Sequence, residues 1–337
     1  SILWHTSNMY QIPGQEKLAK RLRDLTFADS MFFTNSGAEA VECAIKMTRR
    51  YHHANGQSEK FRIITFKGSF HGRTLSTIAA GGSEKLTKGF GPKVDGFDVL
   101  PFFSDMKKVE DHITTETAGI MIEPIQGEGG IRSVTTKNLI VLRKLADKHG
   151  ILLIFDEIQC GIGRTGKLFC HEHAGVTPDI MPIAKGIGGG FPLGACLAKN
   201  SVAKHMTIGT HGSTYGGNPL AMAMGNAVLD VLEEEKILSN VKIMSEKLKV
   251  ELISLSKKYP EIIDEIRGLG LMIGLKLHRN PREFIAQAFE NKLLVVGASE
   301  NTIRILPPLN ITLADINEAS KKLNKTCLDE LKKFKTI

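Results

Sequence analysis

Short apolar segments alternate with helix-patterned ones through the first half of the chain, and this alternation limits the fold more than any other feature. Ser30–Thr34, Phe61–Phe66, Gly119–Glu123 and Ile151–Phe155 read as strands. Pro13–Leu25 places Leu18, Leu22 and Leu25 at helical spacing. Val41, Ala44, Ile45 and Thr48 follow a helix start at Ser36, and Asn138–His149 reads as a further helix. Strands and helices alternating in this way build βαβ units, so the expected class is α/β with a mostly parallel sheet. Such sheets bind ligands outside the carboxyl ends of their strands. Glu123, Glu128, Asp156 and Lys185 all fall at or after those ends.

After Asn218-Pro219 the pattern changes. Helices over Leu220–Glu234 and Val241–Ser256 lead to short strands at Leu269–Leu277, Leu293–Val296 and Ile303–Leu306, and a helix over Leu313–Lys333 closes the chain. A smaller α+β part is expected there, with the boundary inside the helical stretch Leu220–Leu238. This gives a large domain over residues 1–220 and a small C-terminal domain over 221–337, within the reach of a 337-residue chain.

Composition removes several classes. No run of 18 apolar residues is present, so no membrane association is expected. The formal charge of +8 is spread among acids, and aromatic residues are only 6% of the chain, too few for base-stacking platforms interleaved with basic residues. The lysines near the C-terminus (Lys321, Lys322, Lys325, Lys332, Lys333, Lys335) read as the solvated face of a helix, so no nucleic-acid partner is expected. Five cysteines with no Cys-x-x-Cys suit free thiols in a reducing, cytoplasmic setting. His171-Glu-His173 spaces its histidines at i, i+2, off a common helix face, and no metal is expected. The sequence opens on Ser1 with neither initiator methionine nor signal-peptide pattern, and reads as a trimmed form of a longer protein.

Three stretches carry chemistry. Lys185 follows an apolar run and precedes four glycines within five residues. A lysine so placed can lose hydration, which lowers its pKa and makes the amine nucleophilic. Alone, Lys185 reads rather as a surface lysine in a glycine-rich turn. Upstream, Ile151-Leu-Leu-Ile-Phe-Asp-Glu157 ends an apolar strand in carboxylates. A Schiff-base lysine with an aspartate for a pyridinium nitrogen is the pair expected of pyridoxal 5′-phosphate (PLP). The second stretch, Ser30–Ala40, is a strand, a small-residue turn and a helix start in which Ser36 and Glu39 form a capping box. It reads equally as a phosphate site and as a plain helix start. The third, Lys67-Gly-Ser-Phe-His-Gly-Arg-Thr74, offers an aromatic for a flat ring and an arginine for a carboxylate, or is an ordinary polar loop.

Two look-alikes are weaker. Gly161-Ile-Gly-Arg-Thr-Gly-Lys167 fits most of the P-loop pattern, but Leu168 stands where a hydroxyl must bind magnesium, and Asp156-Glu157 puts negative charge ahead of the loop. A P-loop nucleotide-binding protein is therefore the rival reading from another class. Gly186–Gly190 and Gly268-Leu-Gly270 do not complete a dinucleotide fingerprint.

Six motifs then occur in order: Asn35-Ser-Gly-Ala-Glu-Ala40, Phe70-His-Gly-Arg-Thr74, Glu123-Pro-Ile-Gln-Gly-Glu128, Phe155-Asp-Glu-Ile-Gln159, Ala184-Lys-Gly186 and Thr210-His-Gly-Ser-Thr-Tyr-Gly-Gly-Asn-Pro219. Over essentially the whole chain this set resembles the class III (ω-amino acid) PLP-dependent aminotransferases of fold type I. Leu3-Trp-His-Thr-Ser-Asn8 and Phe70-His-Gly-Arg73 are most similar to the acetylornithine branch. The resemblance implies a seven-stranded, mostly parallel sheet flanked by helices, plus the smaller C-terminal domain. It implies Lys185 and Asp156 as catalytic residues. Cofactor contacts would come from Ser36, Gly37, Ala38, Phe70, His71 and Gln159, with Thr214 reaching the phosphate of a neighbouring subunit in a homodimer whose sites are shared. Arg73, Glu128, Arg304 and Ser213 would bind substrate, with Glu128 masking Arg304 when the δ-amine donor enters. The implied reaction moves the terminal amino group of N2-acetylornithine to 2-oxoglutarate, giving glutamate, as in arginine biosynthesis. Ornithine, succinylornithine or 4-aminobutyrate as donor, or an inactive relative of the fold, are the alternatives. Relatives carry a further N-terminal segment before Leu3, which the expected large domain lacks.

Overall fold

The computed structural model describes residues 3–102 and 105–336. Seven strands form the main sheet: β1 (Ser30–Thr34), β2 (Arg62–Phe66), β3 (Phe97–Leu100), β4 (Thr117–Ile122), β7 (Leu152–Phe155), β8 (Ile180–Ile183) and β9 (Gly194–Ala198), in the order β1-β9-β8-β7-β4-β2-β3. Between β4 and β7, the strands β5 (Ile125–Gln126) and β6 (Arg132–Ser133) pair separately. The run from β3 through β2, β4 and β7 to β8 is parallel, and β9 is antiparallel to both β8 and β1.

Strand alternation sorts the apolar side chains onto two faces. Ile63, Met121 and Ile154 pack with Val41, Ala44 and Ile45 of the helix Gly37–Ala54. Their neighbours Ile64, Ile120, Ile122, Leu153 and Phe155 pack on the other face with Leu139, Leu142 and Leu145 of the helix Thr136–His149. Covered on both sides, β4 and β7 are buried along their whole lengths. That is why they read as unbroken apolar runs in the sequence.

The sequence reading overlooked β3, β8 and β9. In β8 the cause is Pro182, which has no N–H to donate and disguises an interior strand. Past Asn218 come the helices Pro219–Glu234, Ile237–Lys258, Arg282–Glu290 and Leu313–Thr336 and a second, antiparallel sheet. Its strands are β10 (Ile263–Leu269), β11 (Met272–Leu277), β12 (Val296–Ala298) and β13 (Thr302–Ile305), in the order β10-β11-β13-β12. The strand expected over Leu269–Leu277 forms as β11 and is the second arm of a hairpin whose first arm, β10, was not expected. The chain reverses at Gly270, at φ +60°, where an added Cβ would meet Thr165 Cα at 2.5 Å. The strand expected at Leu293–Val296 forms at Val296–Ala298 instead. All five cysteines are buried free thiols, and among the described residues no helix is long and apolar enough to cross a membrane.

One backbone contact sets the register of the sheet's functional edge. Thr34, ending β1, pairs with Gly194, beginning β9. A Cβ at Gly194 would lie 2.7 Å from the Ser36 carbonyl oxygen. Gly194→Ala is therefore expected to cost about 1–3 kcal/mol through overpacking. Gly14→Ala, whose Cβ would meet Met222 Cβ at an ordinary 3.4 Å in a helix, is expected to be neutral or slightly stabilising. Urea unfolding of both variants checks this; equal stabilities would show that Ser36 yields freely.

Candidate active site

A cleft of about 410 Å³, of a size for a small organic ligand, opens at the C-terminal edge of the main sheet. The turns after β1, β2, β7 and β8 bring Ser36, Gly37, Ala38, Phe70, His71, Arg73, Ile158 and Lys185 to its walls.

At the start of the helix Gly37–Ala54, Ser36 Oγ accepts the Glu39 N–H at 3.3 Å, as a capping residue should. The reciprocal half of the expected capping box is displaced. The Glu39 carboxylate takes the Asn35 N–H at 2.7 Å and Asn35 Nδ2 at 2.9 Å, because Asn35 offers it two donors together. The Gly37 and Ala38 N–H groups have no acceptor among the described residues. Two free N–H groups at the positive end of an 18-residue helix make a cradle for a phosphate.

Asp156 directly follows β7 and is buried. Its Oδ2 meets His71 Nδ1 at 2.7 Å and its Oδ1 accepts the Ile158 N–H at 3.1 Å. Burial opposes charge on His71. The bond to Asp156 and that carboxylate's charge, joined by the charge of Glu123, still hold its pKa above the usual value. Two further buried carboxylates flank the pair. Glu123 accepts the Phe70 N–H at 2.9 Å and the Gly127 N–H at 3.2 Å, and burial followed by the Asp156 charge pushes it up to about 7. Glu157 accepts the Cys170 and His171 N–H groups at 2.6 and 2.7 Å, and burial pushes it up to about 8.

Lys185 sits just past β8 at φ +49°, a left-handed conformation in which non-glycine residues are uncommon and which clusters at functional sites. The desolvation expected of it is not met in the isolated chain. Lys185 is exposed, because Gly186, Gly189 and Gly190 beside it carry no side chains to cover it.

Phe70 and Arg73 also line an adjoining recess of about 550 Å³, together with Glu128 and residues 297–299. Glu128 Oε1 pairs there with Arg304 Nη1 at 2.5 Å, and Arg304 Nη2 donates to the Gly297 carbonyl at 3.2 Å. The Arg73 guanidinium lies 5.5 Å from the centre of the Phe70 ring. Gln159 packs against Gly127, with its Oε1 buried and unpartnered.

Five expected residues line neither hollow: Asp156, Gln159 and Arg304 lie behind the walls, and Ser213 and Thr214 sit in a separate loop. Ser213 is held by Asn35 Nδ2 at 3.3 Å and by the Gly216 N–H at 3.0 Å. Thr214 is exposed in the same loop and lines a separate depression with His211 and Tyr215. The sequence reading gave no role to Glu123 or Glu157. The available signal was a carboxylate directly after a wholly apolar strand. The P-loop reading is overturned. No α-helix opens at Lys167, where the next element is a 3-10 turn at Cys170–His173, and loop N–H groups are spent internally, Gly163 on Leu168 O at 3.0 Å and Gly166 on Gly163 O at 3.0 Å. One ring nitrogen of each histidine in the His171–His173 pair is engaged, His171 Nδ1 with Val176 O at 2.7 Å and His173 Nε2 with Thr165 O at 3.2 Å.

This donor set fits PLP. Free helix N–H groups suit a phosphate, a buried carboxylate suits a protonated ring nitrogen, an aromatic side chain suits a flat ring, and a flexible primary amine stands at the same cleft.

Comparison with known proteins agrees with this chemistry. Residues 1–327 match the family model for aminotransferase class-III. The acetylornithine aminotransferase of Mesorhizobium japonicum is 58% identical over 95% of this chain and 80% of its own length. That of Agrobacterium fabrum is 58% identical over 94% and 79%. Among solved structures, the ornithine aminotransferase of Toxoplasma gondii superposes with TM-score 0.94 at 28% identity, covering 98% of this chain and 80% of that one. The N-acetylornithine aminotransferase of Stenotrophomonas maltophilia does so with TM-score 0.84 at 36% identity, covering 98% and 83%.

The buried carboxylates make folding stability depend on pH. Folded Glu157 keeps its proton up to about 8, whereas an unperturbed glutamate loses it near 4.5. Between these values the folded state binds more protons, so rising pH withdraws stability. Glu157→Gln abolishes this titration. Its thermal midpoint is expected to gain on that of the wild type as pH rises from about 4.5 to about 8, whatever fixed cost the lost acceptor brings. Scanning calorimetry across that range checks it; a constant gap would show Glu157 ionised throughout.

Proposed function

Because this chain belongs to the class-III aminotransferases, we propose that it moves the terminal amino group of N2-acetylornithine to 2-oxoglutarate, giving N-acetylglutamate semialdehyde and glutamate. The observation that carries this reading is the 58% identity, over about 95% of the chain, to an acetylornithine aminotransferase. PLP is the cofactor. When bound, it supplies an electron sink for the pair left on the amino-bearing carbon after deprotonation.

The chain's own residues divide the remaining work. Gly37 and Ala38, with Ser36 capping their helix, bind the phosphate through main-chain N–H groups. Phe70 would cover one face of the ring. Gln159 would meet the ring's hydroxyl side, a role its unpartnered Oε1 supports. Asp156 would hold the proton of the ring nitrogen, and His71 fixes the orientation of that carboxylate through their 2.7 Å bond. The Lys185 amine would take the proton from the amino-bearing carbon onto Nζ as base and give it up from Nζ as acid, since a flexible primary amine in the cleft can serve in both roles. Arg73 holds the carboxylate of acetylornithine and the distal carboxylate of 2-oxoglutarate. Arg304 is the second cation, reserved for the α-carboxylate of glutamate or 2-oxoglutarate. While the donor is bound, Glu128 occupies Arg304, which lets one site take two substrates of different charge.

The sequence from 1 to 220 would form the cofactor-binding domain and that from 221 to 337 the smaller one. We also read the protein as a homodimer. Thr214 lies outside its own chain's cleft, and the exposed Trp4, Met9, Ile208 and Tyr215 suit a covered surface better than a wet one. In that arrangement Thr214 reaches the partner's phosphate, and Ser213 supports the loop that carries it. The fold match to an ornithine aminotransferase makes free ornithine the competing donor.

Two measurements check this. The kcat/KM for N2-acetylornithine is expected to exceed that for ornithine, succinylornithine and 4-aminobutyrate; equal or better turnover of ornithine overturns the donor. Arg304→Ala is expected to lower kcat/KM for 2-oxoglutarate by about 10- to 100-fold, the worth of a charge-assisted contact. The half-reaction with acetylornithine should change far less; equal losses on both substrates would remove the reserved role of Arg304.

A further inference from the structure

A second cleft, of about 400 Å³, shares no lining residue with the Lys185 cleft. It forms where the loop Gly161–Lys167 meets the helix Ile237–Lys258 and the β10–β11 hairpin. Four cations line it, Lys167, Lys242, Lys249 and Arg267, against one carboxylate, Glu246. Arg267 is already committed to Glu265 at 2.7 Å and to Glu300 at 2.6 Å. The side-chain amines of the three lysines have no hydrogen bond or ion pair among the described residues. Lys242, Glu246 and Lys249 stand at i, i+4 and i+7, on one face of their helix. At this spacing Glu246 has the opportunity to pair with either lysine and pairs with neither. Elsewhere in the chain Lys20, Lys322 and Lys325 do pair with carboxylates four residues away.

The walls of this cleft are braced. Arg164 donates to Leu271 O at 3.3 Å and to Pro307 O at 2.5 Å, the Leu271 N–H returns to Arg164 O at 3.0 Å, and Gly270 abuts Thr165. His173 is tied to Thr165, and burial and then the charge of Lys167 act to lower its pKa, so it adds no cation near neutral pH. Ile266, Leu269 and Ile273 give the cleft an apolar side. Three unpaired lysine side chains line a braced hollow against the single carboxylate of Glu246, and this leaves it a net positive field. Compact lysine charges suit phosphoryl oxygens, and the apolar side suits an organic body.

We propose that this cleft binds an organic phosphate, its phosphoryl oxygens held by Lys167, Lys242 and Lys249 and its organic body against Ile266 and Leu269. The partial P-loop pattern of the sequence would then contribute through Lys167 alone, with its backbone turn as scaffold.

Calorimetric titration of the PLP-loaded protein with adenosine diphosphate tests this independently of any turnover. Saturable binding, one ligand per chain and weakened by salt, is expected. In the Lys242→Ala/Lys249→Ala double variant the dissociation constant should rise about tenfold or more, the loss expected for charge-assisted contacts. Glu246→Gln should tighten binding. Both variants alter exposed positions on a helix away from the Lys185 cleft, so cofactor binding and the basal transamination rate should stay at wild-type levels. Adenosine should not bind, and inorganic phosphate should bind more weakly than the diphosphate. Absence of saturable binding at millimolar ligand, or an unchanged constant in the double variant, overturns the site. Inorganic phosphate binding as tightly as the diphosphate overturns the organic ligand.

Discussion

Three carboxylates, Glu123, Asp156 and Glu157, are buried together at the carboxyl edge of the main sheet, and the surrounding loops are shaped by the need to satisfy them. Removing an ionisable group from water costs several kcal/mol unless hydrogen bonds replace the lost solvation. Here the replacements are main-chain N–H groups of Phe70, Gly127, Ile158, Cys170 and His171, together with one imidazole. Each bond fixes a loop that carries or supports a cleft residue. The loop with Phe70, His71 and Arg73 hangs from Glu123 and Asp156. The turn leading to Glu128 hangs from Glu123 through Gly127. The preorganisation needed to orient a flat cofactor thus arises from the same bonds that make carboxylate burial tolerable.

Much of the large sheet was legible from sequence because parallel strands covered on both faces are apolar throughout, as β4 and β7 are. The cleft was legible for a related reason. In such a sheet the first polar residues after each strand have one place to go, and Asn35, Lys67, Glu123 and Asp156 mark that edge. Other features were hidden where local pattern and tertiary context disagree. Pro182 hid β8, since its missing N–H argues against an interior strand. Gly270 hid a hairpin, since nothing local announces that Thr165 presses on the turn. The displacement of Glu39 from Ser36 to Asn35 depends on competing donors one residue apart, which spacing alone does not rank.

The two sheets meet at ion pairs rather than through apolar contact alone. Arg304 on β13 joins Glu128 near the main sheet, and Glu300 takes both Arg267 on β10 and Arg132 on β6. Glu128 also accepts the Ser299 N–H through its carbonyl at 2.9 Å, so the charged contact is backed by a main-chain one. In the proposed function an arriving anion would compete for the guanidinium of the first pair while the second set stays in place. The charge of the pocket would then change without separating the sheets.

The contact between Gly194 and Ser36 has an evolutionary consequence. The free N–H pair of Gly37 and Ala38 is positioned by the hydrogen-bond ladder of β1 and β9, by a carbonyl against a bare Cα, and by side-chain bonds of Thr34, Ser36 and Glu39 that close the turn. Residues of the two strands outside these contacts can drift in identity without moving that pair, provided their volumes permit. Gain or loss of a single residue within β1 or β9 is a different matter, because a one-residue slip turns every side chain of the strand to the opposite face. Substitutions should accumulate freely along this edge between lineages, whereas length changes should be confined to the loops beyond it.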